Sequence, residues 1–418
     1  ETLEKKIRIA PALPGKGYYS VYMTSRTDKD VNGEGRTSCA VVPAFDVSKM
    51  ADSKFGIMTH FAQNMPVDFL PLMAKAGIAH IRDEQYWAKV EKTKGKYEFP
   101  PVFQGYMDES KKSGINPLIC MSFGNELYDK QAKVPAHKLA PWGAATYDAY
   151  ANYCVAVLKH YGDQIKVAEI WNEYNGTFCA GKAAADRPKS YTGMLKAAYE
   201  KIKAERPDVK VLGAATVKIP LPYLDKLFKA GALPYMDGVA VHPYMSHDEA
   251  EQSLADLVAM IKKYNNGKSK PIWCTEAGQS DKTPERAEAA EHLVKMFVAL
   301  QTQPDVEGMY WYLSRDYAPQ FSSMGIIHDQ NDPMGPLTPV MTYPAYANHI
   351  SLFYGSKFKQ RVKTDCRTRL YQFEGQKQDL WAAWSMFENA NILVSAGGPV
   401  TLVNLVGGEK KLSPAGGK

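Results

Sequence analysis

From about residue 55 to about residue 355, short runs of near-continuous apolar residues alternate with longer segments whose apolar positions recur every three or four residues. The first pattern suits strands buried on both faces and the second suits helices with one buried face, so the alternation predicts a parallel sheet with helical crossovers. The runs number eight: FGIMTHF from Phe55, IAHIRDE from Ile78, INPLICMSFG from Ile115, VAEIWNEYN from Val167, VKVLGAA from Val209, DGVAVHPY from Asp237, PIWCTEAG from Pro271 and VEGMYWYL from Val306. Between them, Tyr150, Cys154, Val157, Leu158 and Tyr161 share one helical face that Gly162 ends. Leu254, Leu257, Val258 and Ile261 share another, closed by Lys262 and Lys263 and capped by Gly267. Thr283 with Pro284 predicts the start of a third helix, since proline at the first helical position loses no useful donor. Eight such units predict an α/β fold of the closed (β/α)8 TIM barrel type, and the lack of GxGxxG after the first run favours it over an open doubly wound sheet.

The flanks read differently. Residues 1–50 and 356–418 carry IRIA, YYSVYM, CAVV, RLYQF, DLWAAWSM, NILVSA and VTLVNLV, short β-like segments separated by Gly, Pro, Asn and charged turns. They predict a small accessory β-sandwich formed by the chain ends and packed on a barrel domain of residues 51–355, with 356–418 supplying its C-terminal strands. The pattern leaves open whether the segment 1–50 joins that sandwich or closes an upstream domain. Composition changes this picture little. The 418 residues are 45% hydrophobic and 23% charged, with 31 Gly and 26 Pro, which excludes a disordered or collagen-like chain. No apolar run reaches the ~20 residues of a membrane span. The net charge of +6 is scattered in pairs such as Lys5/Lys6, Lys111/Lys112 and Lys262/Lys263, as solvated faces are, so no nucleic-acid partner is expected. Six cysteines lie far apart with no CxxC, and the chain has no HxH or HExxH, so neither a metal nor a cofactor is expected.

In a parallel barrel the chemistry sits at the C-terminal ends of the strands. Glu173 ends the fourth run in IWNEYN and Glu276 ends the seventh in IWCTEAG. Strands four and seven of eight face each other across the barrel mouth, so both carboxylates can flank one small molecule there. Acetal cleavage needs a protonated carboxylic acid for the leaving oxygen and a carboxylate to meet the oxocarbenium-like centre, roles that such a pair divides. Either glutamate alone would pass as an ordinary solvent-facing strand terminus. Trp171 and Asn172 before Glu173, and Thr275 before Glu276 with Ala277-Gly278 after it, supply groups able to orient both.

Trp-Asn-Glu after strand four with Thr-Glu after strand seven resembles the motif pair of clan A glycoside hydrolases. Within the clan the chain is most similar to glycoside hydrolase family 39 and its bacterial relatives, over residues 55 to 355, with supporting stretches HIRDEQYWAKVEKTKGKYEF, DGVAVHPY and GMYWYL. It departs from the commonest pattern at Tyr174, where proline usually follows the acid/base, which puts the local loop shape and the leaving-group space in question. The resemblance implies a retaining enzyme that needs no cofactor, with Glu173 as acid/base and Glu276 as nucleophile. It implies further that Asn172 bonds the hydroxyl beside the anomeric carbon, Arg82 keeps Glu276 ionised, Tyr244 orients that carboxylate, His242 lines the floor and Trp311 stacks on the sugar ring. The charge of Glu276 would favour the protonated form of Glu173 until esterification removes it, after which Glu173 serves as base.

His60, Asn125, Glu126, Trp142 and Gln279 stand at the rim as second candidates for substrate contact. The long connections from Gly124 to Thr146 and from Leu313 to Pro339 are expected to wall the cleft, with Tyr128, Tyr312, Tyr317 and Phe321 as aromatic surface. The expected partner is an oligo- or polysaccharide. The sugar, its anomeric configuration, endo or exo action and the oligomeric state are not legible. A catalytically inactive carbohydrate-binding barrel is the alternative. A secreted or periplasmic location is expected only from the polymeric substrate, since no charged-plus-apolar leader stands at Glu1.

Overall fold

The computed structural model describes residues 12–26, 31–131, 133–317, 321–365, 367–387, 390–392, 394 and 398–413. IRIA, Cys366 and part of NILVSA lie outside them. An N-terminal antiparallel hairpin, β1 (Gly17–Arg26) and β2 (Val31–Val41), precedes eight parallel strands: β3 (Phe55–Met58), β4 (His80–Tyr86), β5 (Asn116–Ser122), β6 (Val167–Ile170), β7 (Lys210–Val217), β8 (Gly238–His242), β9 (Ile272–Ala277) and β10 (Val306–Trp311). These eight close into a barrel, β10 pairing β3 at Met309 and Phe55. Each of the eight apolar runs forms one of these strands.

Alternation along the strands stacks the barrel interior in layers. The lowest layer is a separate apolar cluster of Leu118, Leu212, Ala240, Trp273 and Tyr310. Two glycines make room for its rings, since a Cβ at Gly56 would stand 2.3 Å from the Tyr310 ring and one at Gly308 would stand 2.4 Å from the Trp273 ring. Above it come Met58, Arg82, Cys120, Glu169, His242 and Thr275, all buried. The mouth holds His60, Glu84, Glu173, Glu276 and Tyr312. Outward-facing strand residues such as Ile57, Ile81, Ile119 and Val241 join the helices in the main core, which is where most of the apolar surface is buried.

The helix Ala144–Tyr161 ends at Gly162 as expected. The helix His247–Tyr264 ends in a left-handed cap of Asn266 (φ 53°) and Gly267 (φ 78°), with Gly267 donating its N–H to Lys262 O at 2.9 Å. The other expected terminus moves. Thr283-Pro284 does not start a helix. The next helix is Ala287–Leu300, because the Asp281 carboxylate holds 281–286 as a turn, accepting from Thr283 N and Oγ1 (2.9 and 2.7 Å) and reaching ahead to Glu288 N (3.1 Å).

The flanks are antiparallel β, in three separate sheets among the described residues: the β1–β2 hairpin, a sheet of β11 (Lys357–Arg361), β12 (Thr368–Glu374) and β13 (Asp379–Ser385), and a pair β14 (Val400–Val403) and β15 (Glu409–Leu412). The three-stranded sheet is tied to the barrel helix His247–Tyr264 by Arg369 on Asp248 (2.9 Å) and Tyr371 on Glu251 (2.7 Å). Asn348 holds the last pair through Asn404 O at 3.2 Å, and Lys16 ion-pairs with Glu409. Among the described residues no helix is long and apolar enough to cross a membrane.

Candidate active site

Glu173 and Glu276 meet over the barrel mouth, and two backbone irregularities bring them there. Between Cys274 and Ala277, β9 spends one more residue than β10 does between Met309 and Trp311. This bulge turns both Thr275 and Glu276 inward, where strict alternation would send one of them out. Past β6, Trp171 (φ 71°) and Glu173 (φ 48°) adopt left-handed backbone. Such residues cost roughly 1–2 kcal/mol each when not glycine, strain that the surrounding packing must hold. In return Trp171 is fully buried against Phe123 and Tyr174, while Asn172 and Glu173 turn to the mouth.

Arg82 organises the floor. Its Nε donates to Glu169 Oε2 (2.5 Å), Nη1 to Glu276 Oε1 (2.6 Å) and Nη2 to Asn172 Oδ1 (2.8 Å). With its Oδ1 taken, Asn172 presents its Nδ2 as the remaining donor. Tyr244 donates to the other oxygen of Glu276, Oε2, at 2.7 Å. The nucleophile candidate is thus held at both oxygens. Glu169, which sequence reasoning passed over, is fully buried and also accepts from Thr275 Oγ1 at 2.7 Å. Burial alone would raise its carboxyl, but Arg82, His242 and Thr275 outweigh burial and hold it down to about 2. The available signal was an acid inside the otherwise apolar run VAEI.

His242 stands between the glutamates, with Nδ1 3.0 Å from Glu173 Oε1 and 3.8 Å from Glu276 Oε2, and with Nε2 3.8 Å from Glu169 Oε1. Burial works against its charged form, yet the surrounding carboxylates prevail, Glu276 foremost, and raise it to about 9. The charged imidazolium stabilises the fold fully below the ordinary histidine value of 6.5, and that contribution is lost as pH rises through about 9. By linkage it is on the order of 3 kcal/mol. The thermal midpoint is therefore expected to fall between pH 7 and 9.5, with a His242→Gln variant less stable at pH 7 and flatter above it. A wild-type midpoint unchanged across that interval would show His242 to be neutral throughout.

Glu173, His242 and Glu276 offer donor atoms within 4.8 Å of one another, so a cation must be considered. The donors suit one poorly. Both oxygens of Glu276 already accept hydrogen bonds, and His242 keeps its proton at neutral pH where a metal needs the free imidazole.

Not every sequence candidate joins this group. Trp311 is fully buried on the outside of the barrel wall against Phe297 and His292, leaving no face for a sugar. The reason is the period of two: Tyr310 and Tyr312 point inward, so Trp311 cannot. Tyr312 is the aromatic that reaches the mouth, its hydroxyl 2.7 Å from His60 Nε2 and its ring edge-on to Tyr244. His60 lies in the same layer, and burial lowers it to about 4, so it is neutral at pH 7. Asn125 is spent on backbone, donating to Glu91 O (2.8 Å) after β4 and accepting from Leu127 N (3.0 Å) in its own loop. Glu126 and Trp142 are exposed on that connection, and Gln279 is half-buried past β9; none bonds the glutamate pair among the described residues. Tyr317 and Phe321 do wall the cleft, stacking on His60 at 5.7 Å each, whereas Tyr128 packs on Trp87 and bonds Glu91. Tyr174 is buried against Trp171 and Tyr191.

Residues 141–343 match the family model described as glycosyl hydrolase catalytic core. No curated protein matches the chain by sequence. Among solved structures, the chain is similar to a family 39 glycoside hydrolase from the gut symbiont Bacteroides cellulosilyticus WH2, with a TM-score of 0.80 at 21% identity over 96% of this chain and 85% of that one. A GH39 beta-xylosidase from Caulobacter crescentus superposes with a TM-score of 0.56 at 16% identity, covering 80% of this chain and 78% of that one. The catalytic domain of GH30 xylanase C from Talaromyces cellulolyticus superposes with a TM-score of 0.57 at 13% identity, covering 83% and 84%. At these identities the structural likeness speaks for the shared barrel, and it agrees with the clan A resemblance drawn from the two motifs.

Proposed function

We propose that this chain, a glycosidase by its catalytic core, cleaves an O-glycosidic bond of an oligo- or polysaccharide with retention of configuration, by double displacement. The observation that carries the reading is the Glu173–Glu276 pair, with carboxylate oxygens within 4.8 Å of each other across the mouth. Retaining enzymes place their carboxyl groups ~5–5.5 Å apart, whereas the ~6.5–9.5 Å of inverting enzymes leaves room for a water between. The approach of their nearest oxygens to within 4.8 Å supports the retaining spacing.

In the first half-reaction a Glu276 oxygen attacks the anomeric carbon while Glu173 gives its proton to the departing glycosidic oxygen. Arg82 and Tyr244 aim the Glu276 carboxylate, one on each oxygen. Protonated His242 donates from Nδ1 to Glu173 Oε1, which assigns the transferable proton to Oε2. In the second half-reaction Glu173, now a carboxylate, takes a proton from the water that cleaves the glycosyl ester. Asn172, fixed by Arg82, donates to the hydroxyl beside the anomeric carbon, a bond that strengthens as charge develops. Export follows if the substrate is a polymer outside the cell. Proton NMR of the first product formed is expected to show the anomeric configuration of the substrate. The opposite anomer appearing first would rule out the covalent intermediate.

A further inference from the structure

Two residues beyond Arg82 on β4, Glu84 occupies the next inward position, in the layer of the mouth that also holds His60, Glu276 and Tyr312. Asp83 between them turns outward, its carboxylate spent on the Phe61 and Ala62 amides (2.7 and 3.1 Å) and on Thr59 Oγ1 (2.6 Å). Glu84 takes no part in the acid/base pair. Its Oε2 accepts from Tyr86 Oη at 2.5 Å and Gln63 Nε2 at 3.4 Å, and the same Gln63 nitrogen lies 3.0 Å from His60 Nδ1. Its Oε1 has no hydrogen-bond partner among the described residues, although the residue is only 5% exposed. A buried acid with one oxygen pinned and one free, at the lip of a sugar site, is a preformed acceptor.

We propose that Glu84 lines the glycone side of this site, accepts hydrogen bonds from sugar hydroxyls there and bars a glycone carrying a carboxylate. The inference rests on the glycosidase reading and adds a substrate class to it: an uncharged glycone. The charges of the floor and mouth support the exclusion. Glu84, Glu169, Glu173 and Glu276 face two cations, Arg82 and His242, and both are committed. Arg82 spends Nε, Nη1 and Nη2 on Glu169, Glu276 and Asn172, and His242 Nδ1 is on Glu173. Lys89, the nearest basic side chain on the element that follows β4, directs its amine to Ala62 O at 2.9 Å. Once Glu84 is ionised, a uronic acid placed here would meet a second carboxylate, a like-charge contact in a poorly hydrated site. Burial, with repulsion from Asp83 in support, raises Glu84 to about 7, so it presents an acceptor or a donor to hydroxyls near neutrality.

Matched iminosugar pairs test this, each pair differing only in hydroxymethyl or carboxylate at the ring carbon that bears the exocyclic group, across several ring stereochemistries. Both members share the ring amine, so its attraction to the glutamates cancels. By calorimetry at pH 8.5, where Glu84 is ionised, the wild type is expected to bind the hydroxymethyl member of its tightest pair at least about tenfold more strongly, and Glu84→Gln to narrow the ratio to about threefold or less, mainly by improving carboxylate binding. Equal or tighter wild-type binding of the carboxylate member would overturn the inference, as would an unchanged ratio in Glu84→Gln with wild-type circular dichroism. The wild-type comparison is decisive even if the variant does not fold. Calorimetry needs no turnover: selective binding without hydrolysis of any glycoside would leave Glu84 assigned and defeat the glycosidase mechanism, while hydrolysis with uronide preference would do the reverse.

Discussion

Replacing Glu276 by alanine is expected to cut turnover of every substrate by at least about 10⁴-fold while sugar binding survives, because the attacking oxygen is removed and no neighbour can replace it. Glu169, the other acid on Arg82, does not take its place. It is fully buried beneath the floor with both oxygens engaged by Arg82 and Thr275, so it cannot reach an anomeric carbon. The variant should fold, since Arg82 keeps Glu169 and the Asn172 carbonyl as partners, and the Arg82–Glu169 ion pair remains neutral overall. Calorimetry with a ligand sugar separates loss of chemistry from loss of binding. A fluorinated mechanism-based sugar should label Glu276 in the wild type; a label on any other residue would move the nucleophile, and a variant that retains turnover would remove it from the reaction.

Replacing Glu173 by alanine should have an effect that depends on the leaving group. Natural glycosides, whose alkoxide departs only with a proton, are expected to lose about 10²- to 10⁴-fold. Activated aryl glycosides, whose phenolate departs unaided, should form the glycosyl-enzyme nearly as fast as before and then stall, because no base is left to activate water. A burst of phenol followed by slow release is the signature. Equal losses on both substrate types would contradict the acid/base role. The partner His242 sharpens the reading: with Glu173 gone its Nδ1 loses its nearest acceptor but still faces Glu276 at 3.8 Å, and its Nε2 faces Glu169 at 3.8 Å, so the floor keeps its charge balance and the defect belongs to proton transfer.

Much of this site is legible in the sequence. The eight apolar runs each became a barrel strand, because a residue buried on both faces of a parallel sheet has no polar alternative. Glu173 and Glu276 stood out as acids ending such runs, and Arg82, Asn172, His242 and Tyr244 all lie in contact with that pair or its anchor. Trp311 misled because aromatic character next to a mouth says nothing about which face of the strand it occupies; one position along, Tyr312 is the residue that enters. Glu169 and Glu84 were missed for the opposite reason. An acid within an apolar strand is meaningful only when the layer it falls in is known.

The order of strands and helices, the closure into a barrel and the choice of Glu173 and Glu276 as the candidate pair follow from the sequence alone, since periodicity and strand-terminal acids are local properties of the chain. Whether those carboxylates can touch one sugar was decided only in three dimensions. A one-residue bulge in β9 and two left-handed residues after β6 override the alternation that either strand would otherwise obey. Arg82, reaching across the barrel from β4, then joins groups nearly 200 positions apart in the chain into one charge-balanced floor. Such irregularities persist because packing from other elements holds them, and that support is not written in any single segment.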